Sequence, residues 1–144
     1  MKKRLLIADH DAVLCEVFRR FLTERGYEVE TSTDGLDCLA KLRQVTPAVL
    51  LLDLELLWGG GDGVLAWLRE ERLAPRIPVL LAANAAAPPD LTELEGPPVV
   101  DVLFKPFSLA ALLESVRSAV ASKEGRKPSN LDRVPGYPRF LSHK

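Results

Sequence analysis

AVLLLDLELLWGGGDG, Ala48–Gly63, is the stretch whose reading decides the fold. Val49, Leu50, Leu51 and Leu52 form a short apolar run after Pro47. A run this short and this apolar suits a strand buried on both faces of a parallel sheet. It ends at Asp53. Open α/β sheets place their sites beyond the carboxyl ends of their strands. The glycines that follow turn the backbone sharply and keep side chains clear. Asp53 is therefore the leading candidate for a reactive group. Since an Asp after a strand more often only shapes a turn, the case depends on other residues converging on it.

Upstream, Arg4–Ala8 reads as a strand that ends in Asp9-His10-Asp11. Asp11 is placed to N-cap a helix running to about Arg25, with Val13, Val17, Phe18, Phe21 and Leu22 on one face and Gly26 as its stop. Tyr27–Thr31 alternates and is rich in β-formers, which makes it a second strand. Thr33 or Asp34 caps a second helix with Leu36, Leu39, Ala40 and Leu42 apolar. Downstream, Asp62 caps a helix carrying Val64, Leu65, Trp67 and Leu68, with Arg69–Arg72 as its solvated end. Ile77–Ala82 is a fourth strand, Asn84–Pro89 a loop, and Pro89–Glu95 a short helix with proline at its start. Val99–Phe104 is a fifth strand leading into Lys105-Pro106-Phe107. Ser108 caps a last helix with Leu109, Leu112, Leu113, Val116 and Val120 apolar.

Five strands alternating with five helices predict an α/β fold, a doubly wound five-stranded parallel sheet covered on both faces. Right-handed crossovers bring every strand's carboxyl end to one edge. Asp9, Asp53, Ala83 and Lys105, remote along the chain, are expected to meet there.

The 144 residues, 47% hydrophobic and 27% charged, suffice for one domain with an ordinary core. A net charge of −1 offers no global argument for nucleic-acid binding. The charge is uneven: 13 Lys and Arg against 18 acids precede Lys123, and six against two follow from it. The expected division is a domain over 1–122 and a basic, flexible tail over 123–144, where Pro128, Pro135, Gly136 and Pro138 interrupt any helical period. Cys15 and Cys38 form no CxxC and read as buried small hydrophobes. The first apolar run is too short for a signal peptide, and no segment nears the roughly 18 apolar residues of a membrane span. A soluble, cytoplasmic protein is expected, with no membrane contact and no direct nucleic-acid contact.

Where Asp9 and Asp53 approach each other, a divalent cation relieves their repulsion, and Mg²⁺ suits oxygen ligands. Lys105 supplies a compact charge for a phosphoryl oxygen; its plain alternative is a surface lysine at a helix start. A carboxylate so placed can attack a phosphoryl group in line and become an acyl phosphate.

An acidic cluster after strand one, an Asp ending strand three, a downstream Asp-Gly and Lys-Pro-Phe after strand five together resemble the receiver domain of bacterial response regulators. The resemblance runs from Lys3 to about Ser122. It implies a flavodoxin-like strand order 2-1-3-4-5 and a role in phosphorelay signalling. Asp53 would be the phosphoacceptor, charged by a sensor histidine kinase or phosphotransfer protein. Asp9 and Asp53, with the Glu55 backbone carbonyl, would hold Mg²⁺, and Lys105 would contact the phosphoryl group. With no recognisable output domain, the chain looks like a stand-alone receiver, monomeric or weakly dimeric. It would be no enzyme beyond self-phosphorylation. The last helix, strand five and the preceding helix would form its partner face.

The chain also departs from that family. His10 stands where a second acid is usual, and imidazole suits transition metals better than Mg²⁺. The two switch positions, usually Ser or Thr and an aromatic, fall at Ala83 and Val102. Asn84 is a misplaced substitute for the first. Leu57 replaces a usual proline, and Asp62-Gly63 arrives two residues late. Two readings follow: a receiver phosphorylated at Asp53, or a pseudo-receiver that binds partners without phosphorylation. A remoter one is a haloacid-dehalogenase-type phosphatase, to which Asp9-His10-Asp11-Ala12-Val13-Leu14 is similar, with Asp9 as nucleophile and Asp11 as general acid. Gly59–Gly61 lacks the Lys-Ser/Thr of a P-loop and reads as a loop beside the site.

Overall fold

Val49–Asp53 (β3) is the central strand, buried along its whole length. Its neighbours are Arg4–Ala8 (β1) and Val79–Asn84 (β4), and Glu28–Ser32 (β2) and Val99–Lys105 (β5) close the edges. All pairs are parallel, in the order β2-β1-β3-β4-β5. The computed structural model describes residues 1–56, 60–71, 76–86, 90, 92–94 and 96–121. Leu57, Trp58, Gly59, Arg72, Pro89, Glu95 and the tail 123–144, all drawn on above, lie outside them.

Strand alternation sorts the core into two layers. Leu5, Ile7, Val49, Leu51, Leu80, Ala82 and Leu103 face Ala12–Thr23 (α1) and Leu109–Ala121 (α4). Leu6, Ala8, Leu50, Leu52, Leu81, Ala83 and Val102 face Gly35–Gln44 (α2) and Gly60–Glu70 (α3). Strands buried on both faces account for the unbroken apolar runs in the sequence. Cys15 and Cys38 are buried and free, one in each layer. Burial pushes their thiols up, to about 11 and about 12. Among the described residues no helix is long and apolar enough to cross a membrane.

Four α-helices are present among the described residues, not five. The slot expected to hold a short helix contains a 3-10 turn, Thr92–Leu94. The Arg69 guanidinium, expected in solvent, donates instead to the carbonyls of Leu94, Gly96 and Pro97. It thereby satisfies acceptors that no helix follows to use.

Other boundaries also shift. Asp11 caps α1, accepting from Val13 N and Leu14 N, but the buried face is Cys15, Phe18 and Leu22, with Val13 and Val17 exposed. The helix stops at Thr23, and Gly26 makes the turn beyond it at φ +98°. Asp34, rather than Thr33, caps α2; Cys38 and Leu42 are buried there, and Leu36 is exposed. Strand β2 starts one residue later than expected, and β4 runs two residues further, to Asn84. Asp62 lies inside the first turn of α3 and does not cap it, because the helix already starts at Gly60.

Candidate functional site

Three strands deliver their next side chains to one point. β1 ends beside Asp9, β3 ends on Asp53 and β5 ends on Lys105. Asp9 and Asp53 are each only 1% exposed. The Lys105 Nζ donates to Asp9 Oδ2 at 2.8 Å and stands 3.6 Å from Asp53 Oδ2. The His10 backbone N–H donates to Asp53 Oδ2 at 3.2 Å, and the His10 ring Nδ1 lies 2.5 Å from the same oxygen. Glu55 N–H donates to Asp53 Oδ1 at 2.9 Å, and Asp11 N–H donates to Asp9 Oδ1 at 2.9 Å. Every oxygen of the two buried carboxylates thus has a donor, as burial demands.

The surroundings hold this arrangement. The Phe107 ring stacks on Phe18 of α1, centroids 5.5 Å apart, and ties down the chain just after Lys105. The Lys105–Pro106 peptide bond is cis. On the Asp53 side, α3 begins against the end of β3. A Cβ on Gly61 would lie 2.5 Å from the Asp53 carbonyl oxygen and 2.8 Å from Leu54 Cα, so only glycine permits the approach. Gly60 before it has φ +68°. These features give Gly60 and Gly61 their physical reason.

Burial acts to raise the Asp53 carboxyl. The His10 ring, the Glu55 and His10 amides and Lys105 outweigh it and hold the group below the usual carboxylate range. Asp53 is therefore ionised at neutral pH. For Lys105, burial acts to lower the ammonium, but the bond to Asp9 and the charges of Asp9 and Asp53 raise it. The hydrogen bond to Asp53 raises His10 above its ordinary value.

Among the described residues, Asp9, His10 and Asp53 each bring one donor atom within 4.8 Å of the others. The set is two carboxylates and one imidazole, not the all-oxygen shell that Mg²⁺ prefers. Asp11, the next acid along the chain, is not in the set; its Oδ1 caps α1. Mg²⁺ therefore fits this donor set poorly.

The other expected positions fall as follows. Glu55 is exposed and turns its amide onto Asp53. Ala83 and Val102 are buried in the α2–α3 layer, and Phe104, the register partner of Ala83, packs partly buried beside them. Asn84 spends its Oδ1 on the Ala86 amide. Besides the His10–Asp53 pairing, sequence reasoning missed two features. One is the Phe18–Phe107 stack, for which the aromatic after Lys-Pro was the available signal. The other is the Arg69 clamp, which left no signal.

Comparison with known proteins agrees with this geometry. The response regulator receiver domain family matches residues 5–117. The polar-differentiation response regulator DivK of Brucella ovis is 25% identical over 118 residues, covering 82% of this chain and 96% of DivK. The receiver domain of a response regulator from Bermanella marisrubri superposes with a TM-score of 0.67 at 26% identity, covering 83% of this chain and 99% of that one. The signal receiver domain of a LuxO repressor protein from Vibrio parahaemolyticus gives a TM-score of 0.74 at 20% identity, covering 95% and 100%. At that identity it speaks for the fold alone.

Proposed function

The chain belongs to the response regulator receiver domain family, and on that premise we propose that Asp53 is its phosphoacceptor. The observation that carries the reading is the Lys105 ammonium, 2.8 Å from Asp9 Oδ2 and 3.6 Å from Asp53 Oδ2. Receiver domains work with histidine kinases and phosphotransfer proteins, and a phosphohistidine on such a protein is the proposed donor. An Asp53 carboxylate oxygen attacks phosphorus in line. The new O–P bond makes an acyl phosphate, the donor's P–N bond breaks, and its imidazole leaves with the electron pair. Lys105 neutralises charge on the transferring oxygens, and the His10 and Glu55 amides orient the nucleophile. The family's Mg²⁺ would meet a nitrogen donor here. The chain's own chemistry is self-phosphorylation at Asp53. The match to nearly all of DivK supports a receiver that signals by protein contact.

Asp11, the general acid of the dehalogenase-type reading, is engaged as the α1 cap, which speaks against that chemistry. A phosphorylation-independent pseudo-receiver keeps one observation in its favour: Ala83 and Val102 are aliphatic and buried. Intact-mass measurement after incubation with acetyl phosphate, with and without divalent metal, separates the two. A gain of one phosphoryl group, lost in Asp53→Asn, supports the phosphoacceptor. No gain under any condition leaves the pseudo-receiver.

A further inference from the structure

The misfit between the donor set and Mg²⁺ has a positive side. We propose that Asp9, His10 and Asp53 bind a borderline divalent transition cation, of the Mn²⁺ to Zn²⁺ series, in preference to Mg²⁺. The inference deepens the phosphoacceptor reading by giving its rim a different metal.

Geometry supports it first. The His10 Nδ1 is 2.5 Å from Asp53 Oδ2 and 3.7 Å from Asp9 Oδ1. An ion about 2.0–2.2 Å from each of three such donors sets them about 3–3.5 Å apart. The two separations lie on either side of that span and all three donor atoms lie within 4.8 Å of one another, so the set closes on an ion once the His10–Asp53 contact opens. The His10 side chain is 38% exposed, which leaves that side of the site open to an arriving ion. The carboxylates beneath are fixed, since Lys105 holds Asp9 Oδ2 and Glu55 N–H holds Asp53 Oδ1.

Charge and ligand softness then select the ion. A hard cation is held mainly by negative charge. Here two carboxylates are offset by one ammonium, and the third ligand is an imidazole where another acid would have added charge. A borderline cation gains from the nitrogen what Mg²⁺ cannot. Affinity for such mixed N/O sites rises from Mn²⁺ towards Cu²⁺, with Zn²⁺ somewhat below Cu²⁺.

The test uses the full chain, Co²⁺ as an optical probe, and no phosphodonor. Its failure therefore leaves the phosphoacceptor reading untouched. The expected result is one Co²⁺ per chain with a visible absorption band, displaced by stoichiometric Zn²⁺ and not by a large excess of Mg²⁺. His10→Ala should weaken Co²⁺ by at least about 10–100-fold, and His10→Asp should reduce the preference over Mg²⁺. His143→Ala, which removes the other histidine of the chain, should change neither. Circular dichroism confirms that the variants are folded. Displacement of Co²⁺ by Mg²⁺ at comparable concentration, Co²⁺ binding unaffected by His10→Ala, or binding abolished by His143→Ala would each overturn the proposal.

Discussion

Asp53 and Ala83 reach the same edge of the sheet on neighbouring strands, and their surroundings are opposite in kind. Around Asp53, two buried carboxylates, an ammonium and an imidazole satisfy one another through short contacts. Around Ala83 the packing is apolar: Val102 and Leu81 share its layer, and Phe104 packs against it. Ala83 and Val102 carry neither the hydroxyl nor the aromatic that the family usually places at its two switch positions. If Asp53 is the phosphoacceptor, as proposed, the difference teaches that taking up a phosphoryl group and reporting it rest on separate parts of one fold. The charged corner would serve the first. The apolar corner lacks the residues the family usually uses for the second, so a response would leave the site by another path.

The largest effect expected from disturbing this contrast is on the apolar side. Leu81→Ala removes a fully buried side chain from the middle of β4 and should cost about 2–5 kcal/mol in urea unfolding. A loss below about 1 kcal/mol would mean that this side repacks easily and is not the rigid half.

On the charged side, Lys105→Met takes the cation from two buried carboxylates. Removing one partner of a fully buried pair costs about 3–5 kcal/mol. The Lys105 side chain is 21% exposed, so about 1–3 kcal/mol at neutral pH is the discounted expectation. An unchanged urea midpoint would show that the ammonium does not hold the corner together.

The smallest effect is pH dependence at the partly exposed His10. Its folded pKa is raised above 6.5, the bond to Asp53 being the main cause. Its stabilisation is therefore complete below pH 6.5 and is lost as pH rises through the folded value. Given its exposure, the change should stay under about 1 kcal/mol and be absent in His10→Asn. Asp53 has the opposite sign. Its folded value is depressed, so its contribution is present above 3.8 and is lost as pH falls through the folded value. A stability that rises with pH through the histidine range in the wild type would contradict the His10–Asp53 contact.

Much of this contrast was legible in the sequence, for a simple reason. Parallel crossovers fix which strand ends share an edge, so Asp9, Asp53 and Lys105 could be placed together from connectivity alone. Helix faces were harder to read. Val13 and Val17 are apolar at helical spacing, yet the core takes the face with Cys15, Phe18 and Leu22. A short helix with apolar residues on two sides does not declare its phase. Leu36 misled in the same way, on a helix that buries Cys38 and Leu42. The pairing of His10 with Asp53 depends on a loop path and a ring orientation, neither of which has a sequence period. The Arg69 clamp on the carbonyls before β5 is a tertiary contact 25 to 28 residues away, and a charged helix end gave no hint of it.

The most direct test of the two-sided picture is an amide NMR spectrum of the full chain with and without beryllofluoride, a phosphoryl mimic. The account predicts large shifts at Asp9, His10, Asp53, Glu55 and Lys105, fading along β5 before Val102 and leaving Leu112 and Val116 of α4 in place. Shifts that run through Val102 into α4, or no shift at Asp53 at all, would contradict it.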